Sequence, residues 1–213
     1  HVGRGAPRLL RLTRIAFLMA EARWGKVWNQ HGIFQPNKKD KTFDRDDVAS
    51  YLQSLNLDEG MAQALYAIDA NQACGISQDG IWLPRGASLN LFAATQDALT
   101  PHPKLTCCWN TSIARLEKVA AGWQLIDSQN KPMMTAGKVI IAAALETKQL
   151  AASIDVRLPL KPVRGQLSIF SIDQKSSWAA KLPRTAISGD GYCLPAKKLP
   201  NGNYQWIVGS SFD

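Results

Sequence analysis

The sequence has little of the residues that most often carry metal or proton chemistry. Histidine occurs three times, at His1, His31 and His102, and cysteine four times, at Cys74, Cys107, Cys108 and Cys193. No cysteine pair has C-x-x-C spacing, and no histidine stands at ligand spacing from a cysteine or another histidine, so no tetrahedral zinc site is legible. Cys107 and Cys108 are neighbours whose side chains point to opposite faces of an extended strand. Reduced structural thiols in a cytoplasmic protein are the plain reading. The chain also lacks a G-x-G-x-x-G fingerprint, a P-loop and a G-x-S-x-G elbow. No apolar run approaches the roughly 18 residues of a membrane helix. The longest, Val139 to Leu145, would cross less than half a bilayer, and the N-terminus alternates Arg with Leu instead of forming a signal-peptide block.

What is present is a folding composition. In 213 residues, 46% are hydrophobic and 20% charged, which supplies a sizeable core and excludes disorder as a general description. The chain opens on His1, as a processed protein or a piece of a longer one would. Its net charge of +8 is unevenly spread: +5 in residues 1–50, −4 in 51–100, +3 in 101–150 and +4 in 151–213. Such a field favours polyanions, although a solvated basic surface has the same composition.

Hydrophobic spacing divides the chain by period. Leu9, Leu12, Ala16 and Met19 predict a helix over residues 8–30, with Arg8, Arg11 and Arg14 on its polar edge. Val48, Tyr51, Leu52 and Leu55 predict a second over residues 46–55, and residues 61–68 repeat the pattern. Residues 76–84 read as a turn feeding an extended segment, and residues 88–99 as a helix with Leu89, Phe92 and Ala93 inward, stopped by Pro101 and Pro103. From residue 104 the period becomes two. Strand candidates are 105–109, a hairpin around Ala120–Gly122, 133–135, 139–144, 165–170, 191–194 and 204–208, with 139–144 apolar enough to be buried on both faces. Helices early and strands late predict an α+β fold.

Taken alone, these residues offer little catalytic chemistry. Asp46 and Asp47 open a helix, where capping explains them better than acid–base work. Trp24 and Trp28, four apart, read as a packing stripe rather than a base-stacking platform. Tyr192, in Gly191-Tyr192-Cys193-Leu194-Pro195, either presents its hydroxyl to a cleft or fills a core.

Five runs in order carry a stronger signal: Gly80-Ile81-Trp82-Leu83-Pro84; Ile113-Ala114-Arg115-Leu116-Glu117 with Gly122-Trp123; Val139 to Ala144; Pro162-Val163-Arg164-Gly165-Gln166-Leu167; and Gly191-Tyr192 with Pro195, then Val208-Gly209-Ser210-Ser211-Phe212. Together they resemble the FAD-dependent amine and amino-acid oxidases that include glycine oxidase and D-amino-acid oxidase. Within that family, Gly75-Ile76 through Pro84, Gly189 to Tyr192, Gly209 to Phe212 and the Arg8-to-Met19 helix are most similar to the oxidoreductase half of bacterial bifunctional enzymes that modify the tRNA wobble uridine.

The resemblance implies a substrate-side mixed or antiparallel sheet with helices, plus part of a Rossmann-like FAD-binding domain. It divides the chain into a helical part (about 1–75), a cofactor-domain part (76–145) and a substrate-side sheet (146–213). The family's glycine fingerprint would lie upstream of His1 and its closing flavin segment downstream of Asp213, so an interior fragment, inactive and without FAD by itself, is expected. The implied reaction is oxidative C–N cleavage of carboxymethylaminomethyl-uridine, releasing glyoxylate. The implied partners are tRNA and a methyltransferase domain, with no metal and no membrane. Tyr192, Trp82, Arg164 and Gln166 fall on substrate-binding positions, Tyr192 with its hydroxyl on a carboxylate. Ile113, Ala143 and Ala144 fall on cofactor positions, and Ala144 replaces the family's usual glycine. Because a flavin supplies the redox chemistry, few titratable groups are needed. A small amino-acid oxidase acting on glycine, sarcosine or a D-amino acid, and a non-catalytic basic RNA-binding module, are the alternatives.

Overall fold

The structure, a computed structural model, describes residues 7–38, 42–99 and 104–212. In chain order its elements are α1 (Pro7–Trp24), β1 (Trp28–Gln30), β2 (Ile33–Pro36), α2 (Arg45–Ser54), β3 (Gln63–Leu65), α3 (Ala67–Cys74), β4 (Gly80–Leu83), β5 (Ala87–Leu89) and α4 (Leu91–Ala98). They continue with β6 (Ile113–Val119), β7 (Gly122–Asp127), β8 (Pro132–Ala136), α5 (Thr147–Ala152), β9 (Gly165–Ile172), β10 (Ala186–Ser188), β11 (Tyr192–Cys193), β12 (Lys197–Lys198) and β13 (Tyr204–Phe212). The chain forms two compact units, one of residues 1–100 with 165–213, the other of residues 101–164.

The first unit is built on an eight-stranded sheet running β12-β13-β11-β10-β2-β4-β3, with β9 paired to the other side of β13. Its pairs are antiparallel except β10–β2, which is parallel and makes the sheet mixed. β2 therefore sits inside the sheet, and its Phe34 is 0% exposed. Two glycines adapt the neighbouring strands to large rings. A Cβ on Gly80 would stand 2.7 Å from the Phe34 ring, and one on Gly32, at φ +70°, would fall inside the Trp82 indole. Thr185, buried beside β2, donates its hydroxyl to the carbonyls of His31 (2.8 Å) and Gly32 (2.9 Å), tying β10 to the entry of β2. Burial without a partner would cost that hydroxyl about 1–3 kcal/mol, so the contact sets the register.

The second unit is a β6-β7-β8 antiparallel meander carrying α5. Leu116, Ile126 and Ala151 form its core. Ser153, just past α5, accepts from the Leu116 amide at 3.0 Å and so fixes the helix to the sheet.

The α+β class and the mixed sheet agree with the sequence reading, while several boundaries differ. α1 ends at Trp24 and the chain becomes β1 by Trp28, so the two tryptophans share no helix. Phe17 and Trp28 instead meet edge to face, 5.4 Å between centroids. α1 is held at positions 14, 17 and 21: Arg14 donates to the Asn56 carbonyl (3.1 Å) and to that of Leu55, and Glu21 pairs with Arg85. The Leu9, Leu12, Ile15 and Met19 stripe stays exposed. Residues 61–68 are β3 followed by the start of α3, because Met61 and Ala62 close a turn on Asp58. Residues 87–89 pair with β1 as β5, and helix α4 starts only after Asn90, whose side chain caps the Ala93 amide. This shift in phase buries Ala94 and leaves Phe92 72% exposed. Asp44, not Asp46 or Asp47, caps α2, accepting from both their amides at 2.9 and 3.0 Å. Residues 105–108 and 139–143 are not strands. Neither has a pairing partner among the described residues, and Ile140 is 93% exposed. Pro101 and Pro103 lie outside the described residues.

Candidate functional site

Tyr192 owes its position to a short strand between two glycine-bearing segments. The Gly189-Asp190-Gly191 turn closes with the Gly189 amide donating to the Gly191 carbonyl at 2.8 Å. β11 then pairs on one side with β10 (Ser188↔Tyr192) and on the other with β13 (Tyr192↔Gly209). Gly209 in turn lies opposite Leu167 of β9. Directly paired residues share a face, so Ser188, Tyr192, Gly209 and Leu167 form one row across the sheet. Gly209 lets Leu167 lean over it, since a Cβ there would collide with the Leu167 side chain.

That face is open. Tyr192 is 39% exposed, Leu167 and Ile169 are exposed beside it, and among the described residues the Tyr192 hydroxyl has no hydrogen-bond partner. The opposite face is closed around β11, β10 and β2, though not along β9, where Phe170 is exposed. Alternation turns Cys193 inward, in a row with Ile187, Phe34 and Trp82. Burial pushes the Cys193 thiol above its ordinary value, against weaker opposing contributions from the Ile187 backbone and the Trp206 indole. That indole approaches the sulfur without a hydrogen bond of good geometry, and Trp206 Nε1 is buried without a partner among the described residues. A phenol offered to the open side of a sheet whose back is packed can donate to a ligand oxygen without disturbing the core.

The sequence-derived residues separate accordingly. Tyr192 and Trp82 belong to one sheet but project from opposite faces, with Trp82 packed across Gly32. Gln166 lies on β9 one residue from Leu167, opposite Ser211 across an irregularity between Gly209 and Ser211. Arg164 precedes β9 and groups with the second unit. Ile113 begins β6 opposite Asp127, also in the second unit. There too, Ala143 donates its amide to Thr147 Oγ1 (3.2 Å), and Ala144 has φ +46°. An alanine in the left-handed region keeps the backbone shape that glycine adopts freely.

Sequence reasoning missed the exposed ion pair Lys38–Asp190 (3.3 Å), which sits at the turn before Tyr192 and joins the end of β2 to β11. Its partners are far apart in the chain, and no spacing signals the pair. It also missed a cleft of about 640 Å³ lined by Arg45, Asp46, Leu52, Asp58, Glu59 and Leu65 of α2, the following loop and β3. β3 is four strand spacings from β11, roughly 19 Å, so this cleft is separate from the tyrosine face. No group of three or more His, Cys, Asp or Glu among the described residues could hold a metal ion, and no helix of the described residues is long and apolar enough to cross a membrane.

No protein-family model matches the chain. Over an aligned span of 227 positions that covers the whole of this chain, it is 29% identical to the tRNA 5-methylaminomethyl-2-thiouridine biosynthesis bifunctional protein MnmC of Ralstonia nicotianae, and it spans 33% of that relative. Among solved structures, glycine oxidase from Geobacillus kaustophilus superposes with a TM-score of 0.66 at 15% identity, over 99% of this chain and 58% of that one. Iminodiacetate oxidase from Chelativorans sp. BNC1 gives 0.62 at 16% identity, over 100% and 59%. In fold the chain is thus a portion of the architecture these two oxidases share, and in sequence it is similar to about a third of a bifunctional tRNA-modification protein.

Proposed function

We propose that this chain is part of an FAD-dependent oxidoreductase that cleaves the C–N bond of carboxymethylaminomethyl-uridine at the tRNA wobble position. The amine loses a hydride and a proton, and water adds to the resulting C=N bond. Glyoxylate leaves, and aminomethyl-uridine remains for an associated methyltransferase domain, in the cytoplasm. FAD, when bound, supplies the hydride acceptor. The residues present fit such a cofactor, because Ala144, at the position where the family has glycine, holds a glycine-like φ of +46°. In this reading Ile113 and the Ala143–Ala144 turn hold the cofactor. Tyr192 donates to the substrate carboxylate, Gln166 and Arg164 complete the substrate side, and Trp82 supports the sheet from behind.

One observation carries the proposal: the exposed Tyr192 hydroxyl, without a partner among the described residues, on the open face of a sheet that superposes on that of glycine oxidase. The test is Tyr192→Phe in the full-length protein, assayed for glyoxylate release from tRNA bearing carboxymethylaminomethyl-uridine. A lost hydrogen bond to a carboxylate is worth about 1.5–3 kcal/mol, so kcat/KM should fall roughly 10- to 150-fold with bound flavin unchanged. Unaltered kinetics would remove Tyr192 from the site. The likeness to glycine oxidase favours a second reading, oxidation of a free small amino acid. Turnover of glycine, sarcosine or a D-amino acid with none on tRNA would select it.

A further inference from the structure

The geometry points to a second surface on the first unit, an RNA-contacting platform centred on Trp178. Residues 173–184 link β9 to β10 and pack on the β12–β13 hairpin. The Gln174 amide donates to Asn203 Oδ1 (3.4 Å), and the Ala196 amide donates to the Pro183 carbonyl (3.2 Å). Gly202, at φ +88°, leaves the space that the Gln174 side chain fills. These contacts bring together Lys175, Lys181 and Arg184 of the link with Lys197 and Lys198 of β12. All five are exposed, and none forms an ion pair among the described residues. Of the two carboxylates between residues 173 and 204, Asp190 pairs with Lys38, and Asp173 accepts from the Lys175 amide at 2.7 Å.

Inside this cluster, whose five cations outnumber its one carboxylate, Asp173, stands a tryptophan that is 66% exposed. Its indole is held up by a short helical turn over Ala179–Lys181, whose last amide donates to the Trp178 carbonyl at 2.9 Å. Lys181 Nζ lies 5.4 Å from the ring centroid, and the tryptophan remains two-thirds exposed, 66%. An exposed indole is costly to hydrate and is not needed for solubility. Its chain neighbours are Ser176, Ser177, Ala179 and Ala180, which make no apolar collar of the kind that inserts into a lipid surface. Unpaired cations around an exposed aromatic ring match instead the two needs of an unpaired nucleotide strand, phosphate neutralisation and a base-stacking platform. Base faces are free in single-stranded loops and not in duplex RNA, so the ligand is an unpaired loop. This platform rests on the tRNA reading above and adds to it a site away from the Tyr192 row.

The test uses full-length protein and a fluorescently labelled anticodon stem-loop RNA, with anisotropy measured over a salt series. Trp178→Ala should weaken binding roughly 5- to 100-fold, and Trp178→Phe should restore most of it, because stacking tolerates the smaller ring. Lys181→Ala and Lys197→Ala should each lower the magnitude of the salt slope by roughly 0.7, the value for one lost single-strand phosphate contact. If wild-type protein binds the stem-loop and all of these variants bind it equally, the platform is wrong while the tRNA reading stands. The lysines then serve only to protect a sheet edge. If wild-type protein binds no RNA, the tRNA reading fails with it. Tighter binding to anionic phospholipid vesicles than to RNA, abolished by Trp178→Ala, would also overturn the proposal in favour of a membrane surface.

Discussion

At the scale of single residues, the side chains that matter most are placed by what their neighbours lack. Tyr192 takes its face from the register of β11, and beside it Leu167 leans over Gly209, where a side chain would collide with it. Ala144 shows the converse, a methyl carried at φ +46° where glycine would be unstrained. The left-handed region costs an L-residue about 1–2 kcal/mol, partly offset by the greater unfolded-state entropy of glycine. Ala144→Gly should therefore stabilise the protein by about 1 kcal/mol, read as a higher urea midpoint. A lower midpoint would mean that the alanine methyl makes packing contacts worth more than the strain. The sequence identified both residues through a resemblance, but it contained neither the open phenol nor the positive φ, which are properties of the surrounding backbone.

At the scale of elements, the first unit depends on the junction of β2, β4 and β10. Phe34 fills it, Thr185 satisfies the carbonyls at its entry, and Trp82 lies across Gly32. Gly32→Ala would combine a positive φ with a methyl inside the indole, a loss of about 2–4 kcal/mol. Chemical denaturation should show it as a lower midpoint with far-UV circular dichroism retained below the transition. A Gly32→Ala protein as stable as wild type would show that Trp82 moves aside freely. Element types were legible wherever local spacing decides them, as in α1, α2, the β6–β7 hairpin, β9 and β13. They failed where pairing decides. Residues 88 and 89 fall in the expected helix and become part of β5 because β1 offers an edge, whereas the apolar run 139–143 stays irregular, without a strand partner among the described residues. The α1 stripe was read correctly as apolar and helical. Its docking contacts instead fall on Arg14, Phe17 and Glu21, whose partners are the Asn56 carbonyl, Trp28 and Arg85.

At the scale of the whole molecule, charge and thiol burial set the response to solution conditions. Burial raises both the Cys74 and Cys193 thiols above 9.0. A thiol with a raised folded-state pKa binds its proton more tightly in the native protein. Its contribution is therefore fully present below pH 9 and lost as pH rises through the folded value. Stability should fall on the alkaline side, and Cys193→Ala should flatten that decline while lowering stability at neutral pH through the lost packing. A pH series of thermal melts checks both. An alkaline limb equally steep in the variant would assign the decline to other groups. The cation cluster around Trp178 also belongs to this scale, since its members come from two segments brought together only by packing.

By itself the sequence determined the α+β class, the helical and strand periods, the basic charge, the sparse metal and acid–base inventory and, through five ordered runs, the oxidase resemblance. All of these are properties of residues near one another in the chain. Only the tertiary structure decided that Tyr192 faces outward and Trp82 packs on the other side of the same sheet, and that Ala144 holds a glycine's conformation. It also decided that residues 173–184 and 196–204 share one basic surface. Those outcomes depend on strand register and long-range packing, where one residue of slip turns every side chain to the other face.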